Sequence, residues 1–211
     1  ENRVVGTDFQ YVNNNFFGDR ILQTDAWYQQ SDTPGLKGDD ASFGFGIRMP
    51  ESQGLRGRVG YKEVQQNFNP AMGYVNRSNI RDITGDLGYT YIFSDSVFQS
   101  AFSGIDAQRI EVIDGGLQSE TIAFRLLELQ TNSRDGFNLS YNSNKEIVQR
   151  PFTIYSDADR QVIIQPGAYN FDEQNISISS AGQREFSGSF SYLTGEFYNG
   201  DRTNLSGSLS W

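Results

Sequence analysis

The sequence predicts an all-β protein, an antiparallel up-and-down transmembrane β-barrel, on the basis of three observations. Eleven segments alternate bulky apolar with small or polar residues, which gives each strand one apolar and one polar face. The connections between these segments alternate short with long. Aromatic residues make up 14% of the chain and glycines number 22, while apolar residues reach only 36%. This composition is typical of barrels with aromatic girdles rather than of sandwiches filled with aliphatic side chains.

The strands are identified by their period of two. In the clearest segment, Phe43, Phe45 and Ile47 alternate with two glycines. The predicted strands are Val4–Val12, Arg20–Gln30, Ala41–Met49, Leu55–Val64, Asp82–Phe93, Phe98–Ile110, Glu120–Gln130, Phe137–Ser143, Gln174–Ser180, Glu185–Tyr192 and Asn204–Trp211. Most are close to the roughly 9–11 residues that a tilted strand needs to cross a bilayer. Ile122–Leu129 alone can also be interpreted as helical, because adjacent leucines interrupt its alternation.

The connections provide separate information on topology. Short connections are predicted at Asn13–Gly18, Pro50–Gly54, Ser94–Ser96, Asn132–Asp135 and Gly182–Gln183. Long ones are predicted at Ser31–Asp40, Gln65–Arg81 and Lys145–Glu173, with Ile113–Ser119 and Tyr198–Asp201 of intermediate length. Outer-membrane barrels have short periplasmic turns, long extracellular loops and an even number of strands. We therefore expect at least one strand before Glu1, and expect residues 1–211 to be an incomplete part, of about 11 strands, of a larger barrel.

Composition argues against several classes of function. The net charge is −9, so the chain lacks the excess of basic residues that binding to nucleic acid requires. The chain has no cysteine for a disulfide framework and no histidine to serve as general base or zinc ligand. A paired-carboxylate hydrolase could draw on Asp39 and Asp40, or on Glu120 and Glu128, but nothing in the sequence marks them as catalytic. We expect no enzymatic activity, no cofactor, no resident metal and no nucleic-acid partner.

Two loops and two shorter segments carry a family resemblance. They are Ser31–Asp40 (SDTPGLKGDD), Asn67–Arg77 (NFNPAMGYVNR), Asn2–Gly6 (NRVVG) and Gln149–Ile154 (QRPFTI). Together they resemble an uncharacterised family of bacterial outer-membrane proteins, in which a periplasmic domain like carbohydrate-binding module family 9 precedes a C-terminal β-barrel. The resemblance runs in the same order from Asn2 to the region of Ser191. It implies a barrel in the outer membrane of a Gram-negative bacterium, with further strands after Trp211.

The resemblance also implies which partners to expect. Outer-membrane lipid would surround the barrel, and other envelope proteins or the family's periplasmic domain would be further partners. That periplasmic domain is absent from residues 1–211, so any sugar-binding role of it does not carry over to this chain.

Charged residues form two adjacent stripes that are candidates for a functional lining. Arg56, Arg58 and Lys62 share the polar face of one predicted strand, and Asp82 and Asp86 share that of the next. In a barrel these faces would meet in the lumen. The stripes could bias what passes through the lumen, or they could form a salt-bridge network that braces and fills it. We favour bracing, because small barrels fill their interiors with side chains.

The long loops hold the other candidate residues. Asp32, Asp39 and Asp40 could together bind Ca²⁺, which prefers several oxygen ligands, but their spacing is not that of an EF-hand and aspartate is an ordinary turn residue. Asn67 and Asn69 belong to a stretch that could fold back as a constriction or form a rigid turn, and we favour the turn. All five are predicted to make extracellular loop contacts.

The sequence thus favours an outer-membrane barrel that forms a passage or anchors a periplasmic domain. The alternative is a soluble β-sandwich that binds carbohydrate, with Trp27 or Tyr28 as a stacking platform. A structural surface protein that binds another envelope component is a third candidate. In a barrel the aromatic faces would contact lipid, whereas in a sandwich they would pack together in a dry core.

Overall fold

The computed structural model describes all 211 residues and contains 13 strands and no helix. The strands are β1 Arg3–Phe16, β2 Arg20–Asp32, β3 Ala41–Met49, β4 Gly54–Val64, β5 Ile80–Ile92, β6 Phe98–Val112, β7 Gly116–Thr131, β8 Gly136–Val148, β9 Phe152–Ser156, β10 Gln161–Ile164, β11 Gly167–Ser179, β12 Ser187–Phe197 and β13 Gly200–Ser210. No helix is present that is long and apolar enough to cross a membrane.

Eleven of the strands form one up-and-down sheet in the order β1-β2-β3-β4-β5-β6-β7-β8-β11-β12-β13. Each predicted strand corresponds to one strand of this sheet, which confirms the all-β class and the meander. β9 and β10 form a separate two-stranded sheet inside the connection predicted at Lys145–Glu173. They were not predicted, because strands of five and four residues are too short for a period of two to stand out.

The connections follow the predicted pattern in part, and the one predicted to be short at Gly182–Gln183 spans 180–186 between β11 and β12. The long ones, 33–40, 65–79 and 149–166, follow β2, β4 and β8. The connections after β6 and β12, predicted to be intermediate, are tight turns at 113–115 and 198–199. They can be tight because Asp114 and Tyr198 adopt positive φ angles of 60° and 55°, which reverses the chain within two or three residues.

The chain divides into two compact units, the first comprising residues 1–87 and 108–117 and the second residues 88–107 and 118–211. In the first unit, the strand register places Phe9, Ala26, Phe45 and Tyr61 in one row across β1 to β4. Directly opposed residues share a face. Phe9 is 62% exposed and Phe45 51% exposed, so nothing in the protein covers the middle of this apolar face.

The second unit also has one apolar and one polar face. The register places Leu139, Ile176, Tyr192 and Leu205 in one row across β8, β11, β12 and β13. Leu205 is 66% exposed. A neighbouring row on the opposite face is entirely polar and consists of Asn138, Ser177, Ser191 and Ser206.

Most buried apolar residues lie at strand ends or in connections, while Phe102 and Phe171 are buried within β6 and β11. In the first unit Val64, Phe68 and Ile80 form a buried cluster against which Val75 and Ile110 pack. This cluster secures the connection 65–79 to the strands on either side of it, because Phe68 belongs to the connection and Val64 and Ile80 are strand ends.

The second unit has an aromatic cluster near the end of β12. The rings in contact are Phe152, Tyr169, Phe171, Phe197 and Tyr198. Ile164, the last residue of β10, is 2% exposed, so the base of the β9–β10 hairpin is firmly packed.

Candidate functional site

The polar face of the first unit contains the candidate site. Its side chains lie in three neighbouring rows across β1, β2, β3 and β4. These rows are Asp8–Trp27–Gly44–Lys62, Gln10–Asp25–Gly46–Gly60 and Val12–Gln23–Arg48–Arg58. Only the last of them begins with an aliphatic residue, so the face is polar throughout most of its area.

The predicted charge stripes lie on the neighbouring strands β4 and β5 and pair with each other. Lys62 Nζ lies 3.2 Å from Asp82 Oδ2, and Arg58 Nε lies 3.0 Å from Asp86 Oδ2. The cations are about half exposed, whereas the side chains of Asp82 and Asp86 are 11% and 20% exposed. The two acids therefore depend on their partners more than the two bases do.

Asp82 has a second partner that the sequence did not indicate. Gln108 Nε2 on β6 donates a 3.0 Å hydrogen bond to Asp82 Oδ1. Each carboxylate oxygen of Asp82 is thus bound by a different strand. Arg56 lies on β4 two residues before Arg58, which places it on the same polar face.

Glycines make room for larger side chains in the middle of this face. A Cβ atom on Gly44 would lie 3.0 Å from Trp27 Nε1, and one on Gly46 would lie 3.0 Å from Asp25 Oδ1. The indole therefore lies against Gly44 and the carboxylate against Gly46. A Cβ on Gly60 would approach the hydroxyl of Thr84 on the next strand in the same way, at 2.9 Å.

Two adjoining clefts result from this arrangement. One, of about 340 Å³, is bordered by Trp27 and by polar residues of β1, β2 and β3, namely Asp8, Gln10, Gln23, Asp25 and Arg48. The other, of about 310 Å³, is bordered by charged and hydroxyl-bearing residues, namely Asp25, Arg48, Arg58, Lys62, Asp82 and Thr84. Asp25 and Arg48 border both clefts, so the two adjoin at these side chains.

The predicted loop residues join the connections 33–40 and 65–79 by hydrogen bonds. The backbone amide of Asn67 donates a 2.7 Å hydrogen bond to the Asp39 carbonyl oxygen, and its side-chain amide donates to the Gly38 carbonyl at 2.8 Å. The carbonyl of Asn69 accepts a 2.9 Å hydrogen bond from Asn2 Nδ2. With Phe68 buried between them, this stretch is an anchored turn.

The aspartates of the first long loop do not gather around a common point. Asp40 Oδ1 accepts a 3.1 Å hydrogen bond from Gln30 Nε2, and Asp32 is the last residue of β2, opposite Arg3. No group of three or more acidic, histidine or cysteine side chains in the protein could hold a metal ion. The calcium hypothesis for Asp32, Asp39 and Asp40 therefore has no support in the geometry.

Two ionisable groups that lie in turns have shifted pKa values. Burial and a 2.8 Å hydrogen bond to Glu146 Oε2 raise the pKa of Tyr198 to about 12. In the turn of the β9–β10 hairpin, a hydrogen bond from Tyr155 and two from the backbone amides of Asp159 and Arg160 lower the pKa of Asp157. Both groups fix turns, and neither faces the clefts described above.

Comparison with protein families, with curated proteins and with solved structures gives no match to this chain. The site must therefore be interpreted from its own chemistry. Sequence reasoning found the charged stripes, but it did not assign Asp25, Arg48 or Gln108 to a site. The alternation in the sequence shows on which face of its strand each of these residues lies. Which residues stand opposite one another follows only from the register of the strands.

Proposed function

We propose that the chain is a segment of a bacterial outer-membrane β-barrel, in which the polar face lines a water-filled interior. The interior would serve as a passage, or the barrel would anchor a periplasmic domain. The observation that carries the proposal is that each unit has an exposed apolar face, on which Phe9 and Phe45 in the first unit and Leu205 in the second are more than half exposed. A face of this kind requires an apolar surrounding, and a bilayer supplies one.

The opposite face supports the same proposal. It has few aliphatic side chains, and its charges are neutralised in pairs such as Lys62 with Asp82 and Arg58 with Asp86. Polar interiors of this kind are characteristic of outer-membrane barrels. The ion pairs fit the bracing role that the sequence favoured, because they join neighbouring strands on the side away from lipid.

The β-sandwich alternative requires a second sheet that covers the apolar side chains. The second sheet of this protein is the two-stranded β9–β10 hairpin, and the apolar residues in the middle of the strands are exposed. No specific observation therefore favours the sandwich.

Single-cysteine labelling tests the proposal directly, because the chain has no native cysteine. Phe9→Cys and Ile47→Cys place a spin label on the apolar face, and their sequence neighbours Gln10→Cys and Arg48→Cys place it on the polar face. In lipid vesicles we expect the first two labels to collide with oxygen and the last two with a water-soluble nickel complex. Equal access of the nickel complex to all four labels would refute the membrane assignment.

Solubility provides a second and independent test. The protein should stay monodisperse only in detergent, and it should migrate faster on SDS gels before heating than after. A monodisperse protein in plain buffer would contradict the proposal, whatever the labels show.

A further inference from the structure

We propose that the cleft around Trp27, together with the cleft that adjoins it, binds a neutral saccharide. Trp27 has its indole ring against Gly44 on one side and borders the larger cleft. An aromatic ring is unusual on this face, because the other residues of its three rows across β1 to β4 are charged, amide-bearing or glycine, apart from Val12. A flat apolar platform at the edge of a polar cleft suits the C–H face of a sugar ring.

The polar groups around the platform match a ligand that carries many hydroxyls. Asp8, which stands directly opposite Trp27, and Asp25 can accept hydrogen bonds, and Arg48 can donate them. Gln10 and Gln23 can do both. A hydroxyl group both donates and accepts, so a mixed set of partners satisfies it better than a set of one kind.

The electrostatics favour a neutral ligand over a charged one. Two cations of the adjoining cleft are already paired, Lys62 with Asp82 and Arg58 with Asp86, and Asp25 borders both clefts together with the third cation, Arg48, so an anion meets little net attraction. A cation over Trp27 would be attracted by Asp8 and Asp25 and repelled by Arg48, which border the same cleft. Over both clefts the charges balance, because Asp8, Asp25 and Asp82 stand against Arg48, Arg58 and Lys62. What remains is a surface rich in hydrogen-bonding groups with little net charge.

The shape favours more than one sugar unit. The two clefts share Asp25 and Arg48, and the second cleft is lined by Gly46 and Gly60, where a larger residue would narrow it. A linear saccharide bound at Trp27 could extend toward Thr84. This inference rests on the proposed function, because a saccharide can reach the cleft from the interior of a barrel only if the polar face meets water.

Calorimetric titration of the full chain with neutral linear hexasaccharides tests the inference. The probes are maltohexaose, cellohexaose and xylohexaose, and the detergent carries no sugar headgroup. We expect saturable binding of at least one of them. Trp27→Ala should weaken it about tenfold or more through loss of the stacking surface. Trp27→Phe should keep most of it, and Trp211→Ala, the matched loss of the other tryptophan, should change nothing.

Circular dichroism and gel migration of each variant establish that it is folded before its binding is compared. Should Trp27→Ala fail to fold, Trp27→Leu takes its place, since it keeps an apolar side chain without a ring and should show the same loss of binding. Absence of saturable binding for all three hexasaccharides would overturn the inference, and so would equal binding by the Trp27 and Trp211 variants. Saturable binding of spermine but of no saccharide would assign the cleft to a cation instead.

A quenching experiment separates failure of this inference from failure of the proposed function. In a Trp211→Phe background, Trp27 is the only tryptophan. In vesicles its fluorescence should be quenched by acrylamide and not by brominated lipid. Acrylamide quenching without saccharide binding would reject the saccharide alone, whereas quenching by brominated lipid would reject the assignment of the polar face to water.

Discussion

Removal of Lys62 should cost more stability than removal of the negative charge that it pairs with. Lys62 Nζ and Asp82 Oδ2 are 3.2 Å apart, which corresponds to an attraction of about 5 kcal/mol at an effective dielectric constant near 20. Desolvation of the carboxylate and ordering of the lysine side chain offset most of this gain. The asymmetry arises because the side chain of Asp82 is 11% exposed and that of Lys62 is 46% exposed.

The two single variants should therefore behave differently. Lys62→Ala leaves the nearly buried carboxylate of Asp82 with Gln108 as its remaining hydrogen-bond donor. We expect the free energy of unfolding to fall by about 2–3 kcal/mol, which lies between the effects of breaking an exposed ion pair and a buried one. Asp82→Asn keeps the shape of the side chain and leaves a half-exposed lysine that water can solvate, at a cost of about 1 kcal/mol. The double variant should be more stable than Lys62→Ala alone, because the unpaired buried charge is gone.

Urea unfolding in detergent micelles, followed by far-ultraviolet circular dichroism, measures these differences. Arg58→Ala is the matched control, because its partner Asp86 is more exposed and its loss should cost only about 1 kcal/mol. The reasoning fails if Asp82→Asn is as destabilising as Lys62→Ala, or if the double variant is less stable than both.

Three further predictions concern the strand ends and turns. Phe68→Ala should remove about 3 kcal/mol from the buried cluster and speed proteolysis within 65–79; an unchanged cleavage rate would contradict this. The pKa of Tyr198 is raised to about 12 in the folded protein, so its contribution to the free energy of unfolding is complete below about pH 10 and is lost as the pH rises toward 12. Between pH 10 and 12 the stability of the wild type should therefore fall more steeply than that of Tyr198→Phe. Parallel stability curves for the two proteins would contradict this. Gly195→Ala should destabilise the protein by about 2 kcal/mol, since the new Cβ would clash with the Asp172 carbonyl, and an unchanged urea midpoint would argue against this contact.

The strands could be predicted from the sequence wherever alternation was strict, and β7 shows why one segment was ambiguous. Leu126 and Leu127 are adjacent, which breaks a period of two and suggests a helix. The structure resolves the conflict with a register shift between Arg125 and Leu127. Beyond it, Leu127 and Leu129 again face apolar residues of β8. A bulge restores the apolar face at the cost of one residue, and no pattern based on strict alternation anticipates it.

The site could be predicted only as a set of faces. The alternation in the sequence places Trp27 and Lys62 on the polar faces of their strands. It does not show that they lie in one row with Gly44 between them, because that register depends on the lengths of two turns. A slip of one residue in either turn would move every side chain of a strand to the other face. The contribution of Gln108 was invisible for the same reason, since it comes from a strand further along the sheet.

The distribution of burial separates the membrane proposal from a soluble fold more clearly than composition does. In a soluble sheet protein the buried apolar residues occupy the middle of the strands, where two layers meet. Here most of them lie at strand ends or in connections, as Ile80 and Phe68 do in the first unit and Ile164 does in the second, while Phe102 and Phe171 are buried within β6 and β11. The middle of each unit instead presents exposed apolar side chains on one face and paired charges or serine and asparagine on the other. The apolar faces of the two units are alike, whereas their polar faces differ in chemistry. Lipid requires only that a surface be apolar, whereas an aqueous interior tolerates any polar side chain. Apolar faces that are alike, together with polar faces that differ in chemistry, are therefore what the proposed barrel wall requires.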